Sequence, residues 1–170
     1  MHNVASLELL KEWARRTEVL TFAKVCELHT QVLAGSISAP LGGKIRDKNP
    51  GEAEKITRQL TGWVNEFNEA LSRNFGLRDE FLTALADLHF RFFEISPFRE
   101  GNGRTNRMLA FYFSLRNKRE LLIVHDSYYR IIMNLCRQQG SAEYLVKYLK
   151  ALGDDVQRQR LLAELERLAF

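Results

Sequence analysis

Cysteine is scarce in this chain: only Cys26 and Cys136 occur. Two thiols cannot build the disulfide framework of a small secreted domain, and buried free thiols in a reducing cytosol are the expectation. Together with His29 and His125 they form no ligand set of zinc-site spacing, so no zinc site is expected. Apolar runs long enough to cross a bilayer are missing. The opening Met-His-Asn-Val-Ala-Ser-Leu-Glu has neither the basic start nor the apolar stretch of a secretory signal. Charge of one sign is not in large excess, since 25 basic and 21 acidic residues leave +4. The small basic patches at 15–16, 44–48 and 116–119 read as solvated faces, and no nucleic-acid motif accompanies them. Internal repeats and low-complexity segments are absent. These absences point to a cytoplasmic protein that engages neither nucleic acid nor membrane.

What remains is a chain of 170 residues, 45% hydrophobic, long enough for a single domain over 1–170 with a sizeable core. Apolar spacing predicts helices over 6–16, 20–33, 51–74, 79–93, 103–117, 127–139, 142–152 and 154–169. In the fourth of these, Leu82, Leu85, Ala86, Phe92 and Phe93 recur at three and four, with His89 on the same stripe. A hydrogen-bonded core histidine is the expectation there, and His125 reads as a surface loop residue. Trp13 and Trp63 read as core. The short apolar segment 121–124 fits a strand or a buried helix start equally. The last helix opens on Asp154 and Asp155, which suit the helix dipole, and its stripe of Leu161, Leu165 and Leu168 is expected to pack on the core.

The chemistry concentrates in residues 96–107, Ser-Pro-Phe-Arg-Glu-Gly-Asn-Gly-Arg-Thr-Asn-Arg. Pro97 breaks the preceding helix. Gly101 and Gly103 allow positive φ and close approach to a ligand, so successive N–H groups can form an anion-binding nest at the start of the next helix. Arg104 and Arg107, three apart, share one face of that helix, and two guanidinium forks suit the oxygens of a polyphosphate. Glu100 beside the nest is a candidate Mg²⁺ ligand. The loop is not a Walker A motif, and because a helix precedes it, it is not a dinucleotide fingerprint.

This segment resembles the signature of the Fic (Fido) family, His-x-Phe-x-[Asp/Glu]-Gly-Asn-Gly-Arg-x-x-Arg, at Phe98, Glu100, Gly101, Asn102, Gly103, Arg104 and Arg107. Ser96 stands where the signature has its catalytic His. The resemblance extends to Leu28-His29 with Val32 and Leu33, to Gly42-Gly43-Lys44-Ile45-Arg46 ahead of the family's flap, and to the later helices, covering about 19–152. It implies an all-α fold, a Fic-type helical bundle with a short β-hairpin flap. It also implies a protein adenylyltransferase that moves AMP from ATP, with Mg²⁺, to a Ser, Thr or Tyr hydroxyl of a target protein. By position, Gly101, Asn102 and Gly103 would form the anion hole. Arg104 and Arg107 would hold phosphates, Glu100 would bind Mg²⁺, and Phe98 would anchor the loop.

Three departures from the family pattern shape the expectation. Ser96 has no lone pair basic enough to take a proton at neutral pH, so transfer is expected to be absent or very slow, with His89 and His125 the first alternatives as base. The flap is brief, since 47–51 is a turn and an acidic helix starts at Glu52. The family's inhibitory [Ser/Thr]-x-x-x-Glu-[Gly/Asn] helix is not found apart from the loop itself, so inhibition would come from a separate partner. The competing readings are a nucleotide-binding pseudoenzyme or regulatory interaction module, and a transferase with another phosphate-containing donor.

Overall fold

The computed structural model describes residues 4–119 and 126–168. Among these described residues eight α-helices follow one another: α1 Val4–Arg15, α2 Phe22–Leu33, α3 Glu52–Ser72, α4 Arg78–Ile95, α5 Asn102–Arg116, α6 Asp126–Gln139, α7 Glu143–Ala151 and α8 Asp155–Leu168. A 3₁₀ turn, Ala39–Leu41, lies between α2 and α3.

The local chemistry explains where these helices start. Thr21 caps α2 by accepting the Lys24 N–H at 3.2 Å. Acidic residues occupy the first turns of α3 and α4, where they meet the positive end of the dipole. The Asp154 carboxylate accepts the N–H groups of Val156 and Gln157 and caps α8.

α4 is the centre of the bundle. It packs against α3, α5, α6 and α7, while α1 and α2 cover α5 from the other side. The core between α3, α4 and α5 is aromatic. Trp63 packs on Phe67 and Phe92, and Phe113 meets Phe67, Phe75 and Phe81 in edge and stacked arrangements. Trp63 Nε1–H donates to the Leu88 carbonyl at 2.8 Å, which satisfies its one polar atom in the core. Leu161 and Leu165 of α8 are buried in the same core, as the apolar stripe predicts; the side chain of Leu168 lies outside the described residues. Trp13 and Trp63 are buried.

The all-α class holds, and three details differ from the sequence reading. First, no strand forms among the described residues. The flap lead makes one antiparallel bridge, Ile45 to Phe98, because Pro50 and the turn to Glu52 leave no second strand to complete a hairpin. Second, Cys136 is buried but Cys26 is only half-buried, and both are free thiols. Third, the patch at 116–119 is not simply a solvated face. Arg116 donates to the Glu18 carbonyl at 2.6 Å and Arg119 donates to the Phe75 carbonyl, so each guanidinium ties a loop to the bundle. The segment 121–124 and His125 lie outside the described residues.

Candidate active site

α4 ends at Ile95 and α5 begins at Asn102, so 96–101 form the loop between the two helices at the bundle's centre. Ser96 caps α4 with φ 45° and ψ 61°. A residue with a Cβ is strained in this left-handed region, and the surroundings hold it there. Its N–H bonds to the Phe92 carbonyl at 2.9 Å. Arg46 Nε donates to the Ser96 carbonyl at 2.7 Å, and a second nitrogen reaches the Ile95 carbonyl at 3.4 Å. The Arg46 backbone N–H meets the Pro97 carbonyl at 2.9 Å. The guanidinium is itself paired with Glu52 in the first turn of α3. The Glu52 carboxyl is held below its usual range, first by the Lys48 N–H it accepts, with Arg46 adding to the effect against the cost of desolvation.

Phe98 is buried and stacks flat on His29 of α2, with ring centroids 3.7 Å apart. It is thus the anchor that the sequence predicts. Asn102 closes the loop on itself: its Oδ1 accepts the Phe98 N–H at 2.9 Å, and its amide donates to the Phe98 carbonyl at 2.6 Å. The Asn102 side chain is therefore spent on loop shape, leaving its backbone N–H as the group that can face an anion.

Gly101 is the N-cap of α5, with φ 75°, and no side chain caps this end. The first-turn N–H groups are thus left for a ligand. Arg104 is exposed, with one long contact of 3.4 Å to the Val32 carbonyl. Arg107 is half-buried, its guanidinium lying over the Tyr129 ring at 4.9 Å. Glu100 is exposed and accepts a hydrogen bond from the Ser38 hydroxyl. All seven residues predicted from the sequence therefore lie in one continuous loop and helix start.

His89 behaves as a core histidine. It is buried, and its Nε2 is 3.2 Å from the Tyr129 hydroxyl. Burial, reinforced by the Arg107 charge, pushes its pKa down to about 3. A ring enclosed in this way is not poised to accept a target's proton. Tyr129, with Asn106 also reaching its hydroxyl at 3.5 Å, forms a support beneath Arg107 that the sequence reading missed. An open groove of about 730 Å³, lined by Arg73, Asp79, Glu80 and Asp87 among others, lies at the N-terminal end of α4, away from the loop. No group of residues suited to holding a metal through His, Cys, Asp and Glu alone occurs among the described residues. No helix among them is long and apolar enough to cross a membrane.

Comparison with known proteins bears on the fold and the family. Protein adenylyltransferase Fic of Culex quinquefasciatus is 27% identical over 104 residues, covering 55% of this chain and 19% of that protein. A solved structure of Fic-1 from C. elegans superposes with a TM-score of 0.70 at 22% identity, covering 98% of this chain and 49% of that one. A Fic domain-containing signaling protein from Bacteroides thetaiotaomicron gives a TM-score of 0.70 at 20% identity, covering 97% of this chain and 70% of that one. At these identities the structural likeness speaks for the fold. The chain spans about a fifth of the curated relative's length and about half of the C. elegans chain. The model of the Fic/DOC family matches residues 19–114, more than half of the chain and the whole of the loop described above, and the chain belongs to that family.

Proposed function

We propose that this domain binds ATP with Mg²⁺ and is built to transfer AMP to a Ser, Thr or Tyr hydroxyl of a target protein, a transfer that is very slow in this form because of Ser96. The observation that carries the reading is the uncapped N-terminus of α5, with Glu100 just before it in the chain and Arg104 and Arg107 within its first two turns. The N–H groups of Gly101, Asn102, Gly103 and Arg104 offer an anion its first contacts. The two guanidiniums add charge-assisted bonds to phosphate. The Glu100 carboxylate is exposed and, among the described residues, pairs with no cation, only with the Ser38 hydroxyl. Such an oxygen donor suits a hard divalent cation, and bound Mg²⁺ would neutralise phosphate charge there.

Ser96 accounts for the expected slowness. Its backbone is fixed by Arg46 at the position where a base would project, but a hydroxyl does not hold a proton taken from another hydroxyl at neutral pH. The chain can bind and orient, yet this step has no side chain to perform it. Control would then fall to a separate partner that competes for Arg107. The second reading, a nucleotide-binding regulatory module, is favoured by the flap, whose single bridge leaves little edge for a target segment.

The experiment is calorimetry followed by labelling. The chain as it stands should bind ATP only with Mg²⁺, and Arg104→Ala should weaken binding by about 1–3 kcal/mol. Ser96→His should raise labelling of a target or of the chain itself from radioactive ATP by about 10²–10⁴-fold. Binding without any gain on restoring His favours the regulatory module. No binding, or Arg104→Ala binding as tightly as the parent, removes the site.

A further inference from the structure

His29 stands between two segments that the fold must hold together. It lies on α2 and is 1% exposed. Its Nδ1 accepts the Gly43 N–H at 2.9 Å. A ring nitrogen that accepts an N–H carries no proton, so the proton of the neutral ring is on Nε2. Nε2–H then donates to the Glu100 carbonyl at 2.9 Å. The ring lies parallel to Phe98 within 2°. Gly101 approaches so closely that a Cβ there would sit 3.1 Å from Nε2. One side chain thus touches the flap lead, the loop anchor and the peptide at which the anion nest begins.

The direction of that peptide matters. In a planar trans peptide the carbonyl and the N–H point to opposite sides. Drawing the Glu100 carbonyl toward α2 therefore aims the Gly101 N–H away from α2. Glycine offers little resistance to the opposite orientation, because it accepts φ of either sign. The sequence Glu100-Gly101 cannot fix this peptide by itself, and a buried donor is needed to do so.

We propose that His29 is a positioning residue, whose Nε2–H holds the Glu100–Gly101 peptide in the orientation that presents the Gly101 N–H to phosphate. The proposal rests on the nucleotide-binding reading of the loop. Its contact with Gly43 is a separate task, joining the flap lead to the same scaffold. The two tasks belong to different ring nitrogens and can be separated. In His29→Gln the amide nitrogen takes the place of Nε2 and can still donate to Glu100. In His29→Asn the shorter amide takes the place of Nδ1, keeping the Gly43 contact and losing the donor to Glu100. Both lose the Phe98 stacking.

The test compares parent, His29→Gln and His29→Asn by thermal melting, by amide hydrogen exchange of 99–104 in nucleotide-free protein, and by Mg²⁺-ATP calorimetry. Loop amides should exchange about tenfold faster in His29→Asn than in His29→Gln, as expected for loss of one hydrogen bond. ATP affinity should fall by a similar factor in His29→Asn and by less than about threefold in His29→Gln, whatever the order of their melting temperatures. If exchange and affinity change equally in both variants, or change more in His29→Gln than in His29→Asn, His29 is a packing residue and the proposal is overturned. If the parent binds no ATP, the nucleotide reading fails on its own, and the exchange comparison in free protein still decides whether His29 holds the loop.

Discussion

Replacing His89 by Gln should make the fold less sensitive to acid, and the size of the effect follows from its surroundings. The imidazole is 5% exposed, with Nε2 against the Tyr129 hydroxyl and the Arg107 guanidinium over the same Tyr129 ring. Burial, then the Arg107 charge, lowers its pKa from 6.5 to about 3. In the unfolded chain the ring takes up a proton below about pH 6.5, whereas the folded protein holds it neutral. The contribution of a neutral His89 is therefore fully present above that pH. It is lost progressively as the pH falls, until the folded group itself protonates at about 3. The slope is about 1.4 kcal/mol per pH unit, so a drop to about pH 5 costs roughly 2 kcal/mol. That is a large share of a domain's usual net stability of about 5–15 kcal/mol. Urea denaturation of parent and His89→Gln, measured between about pH 7.5 and pH 5, isolates the effect. Gln keeps an acceptor for the Tyr129 hydroxyl and does not titrate. His29, whose pKa burial also lowers, is common to both and cancels in the difference. The parent should lose roughly 2 kcal/mol more than the variant across this range. Parallel pH profiles, or an NMR titration of the His89 ring near its ordinary value, would refute the reasoning.

Two further substitutions probe the loop and its clamp. Gly101→Ala places a Cβ about 3.0 Å from Leu33 and 3.1 Å from His29 Nε2 at a φ of 75°. The left-handed backbone and the overpacking should together cost about 2–4 kcal/mol, read as a fall in urea midpoint together with loss of ATP binding. Arg46→Ala removes the donors to Ser96 and Ile95 and leaves Glu52 without its cation. It should destabilise by about 1.5–3 kcal/mol, whereas Arg91→Ala, which breaks a largely exposed pair with Glu66, should cost less than about 1 kcal/mol. Equal effects of the two Arg substitutions in denaturation would show that the clamp on Ser96 is no stronger than a surface pair.

The helices and the loop were legible in the sequence because their causes are local. Period-3.6 apolar spacing marks the buried face of each helix whatever it later packs against, so the eight expected segments and the eight observed helices agree to within a few residues at their ends. Pro97 stops α4, and the glycines permit the turn, by backbone sterics alone. Ser96 in place of a base is a fact of composition. The burial of His89 followed from the stripe on which it lies, and that of the tryptophans from their residue type.

Other features depended on tertiary structure, because they join residues far apart in the chain. His29 and Glu100 are 71 residues apart, and Arg46 reaches Ser96 across 50. A pattern read along one helix says which face is covered, and carries no information about which atom of another segment covers it. The sequence therefore gave His29 a place on a core helix without its two hydrogen bonds. It gave Asn102 to the anion hole without showing that its side chain is bound to Phe98, and it left out the Tyr129 support under Arg107. The hairpin implied by the resemblance fails for a local reason, the turn at 47–51, and only the bridge partner of Ile45 is a tertiary matter. A turn and a helix start could be read at 47–52, but whether Ile45 pairs with a second strand or with Phe98 is decided by where α4 and α5 bring the loop. The residue types of the site are thus set by the local sequence. Its shape is set by buried hydrogen bonds from α2 and the flap lead, since only a packed, water-poor interior can hold a glycine-rich loop in one of its several accessible conformations.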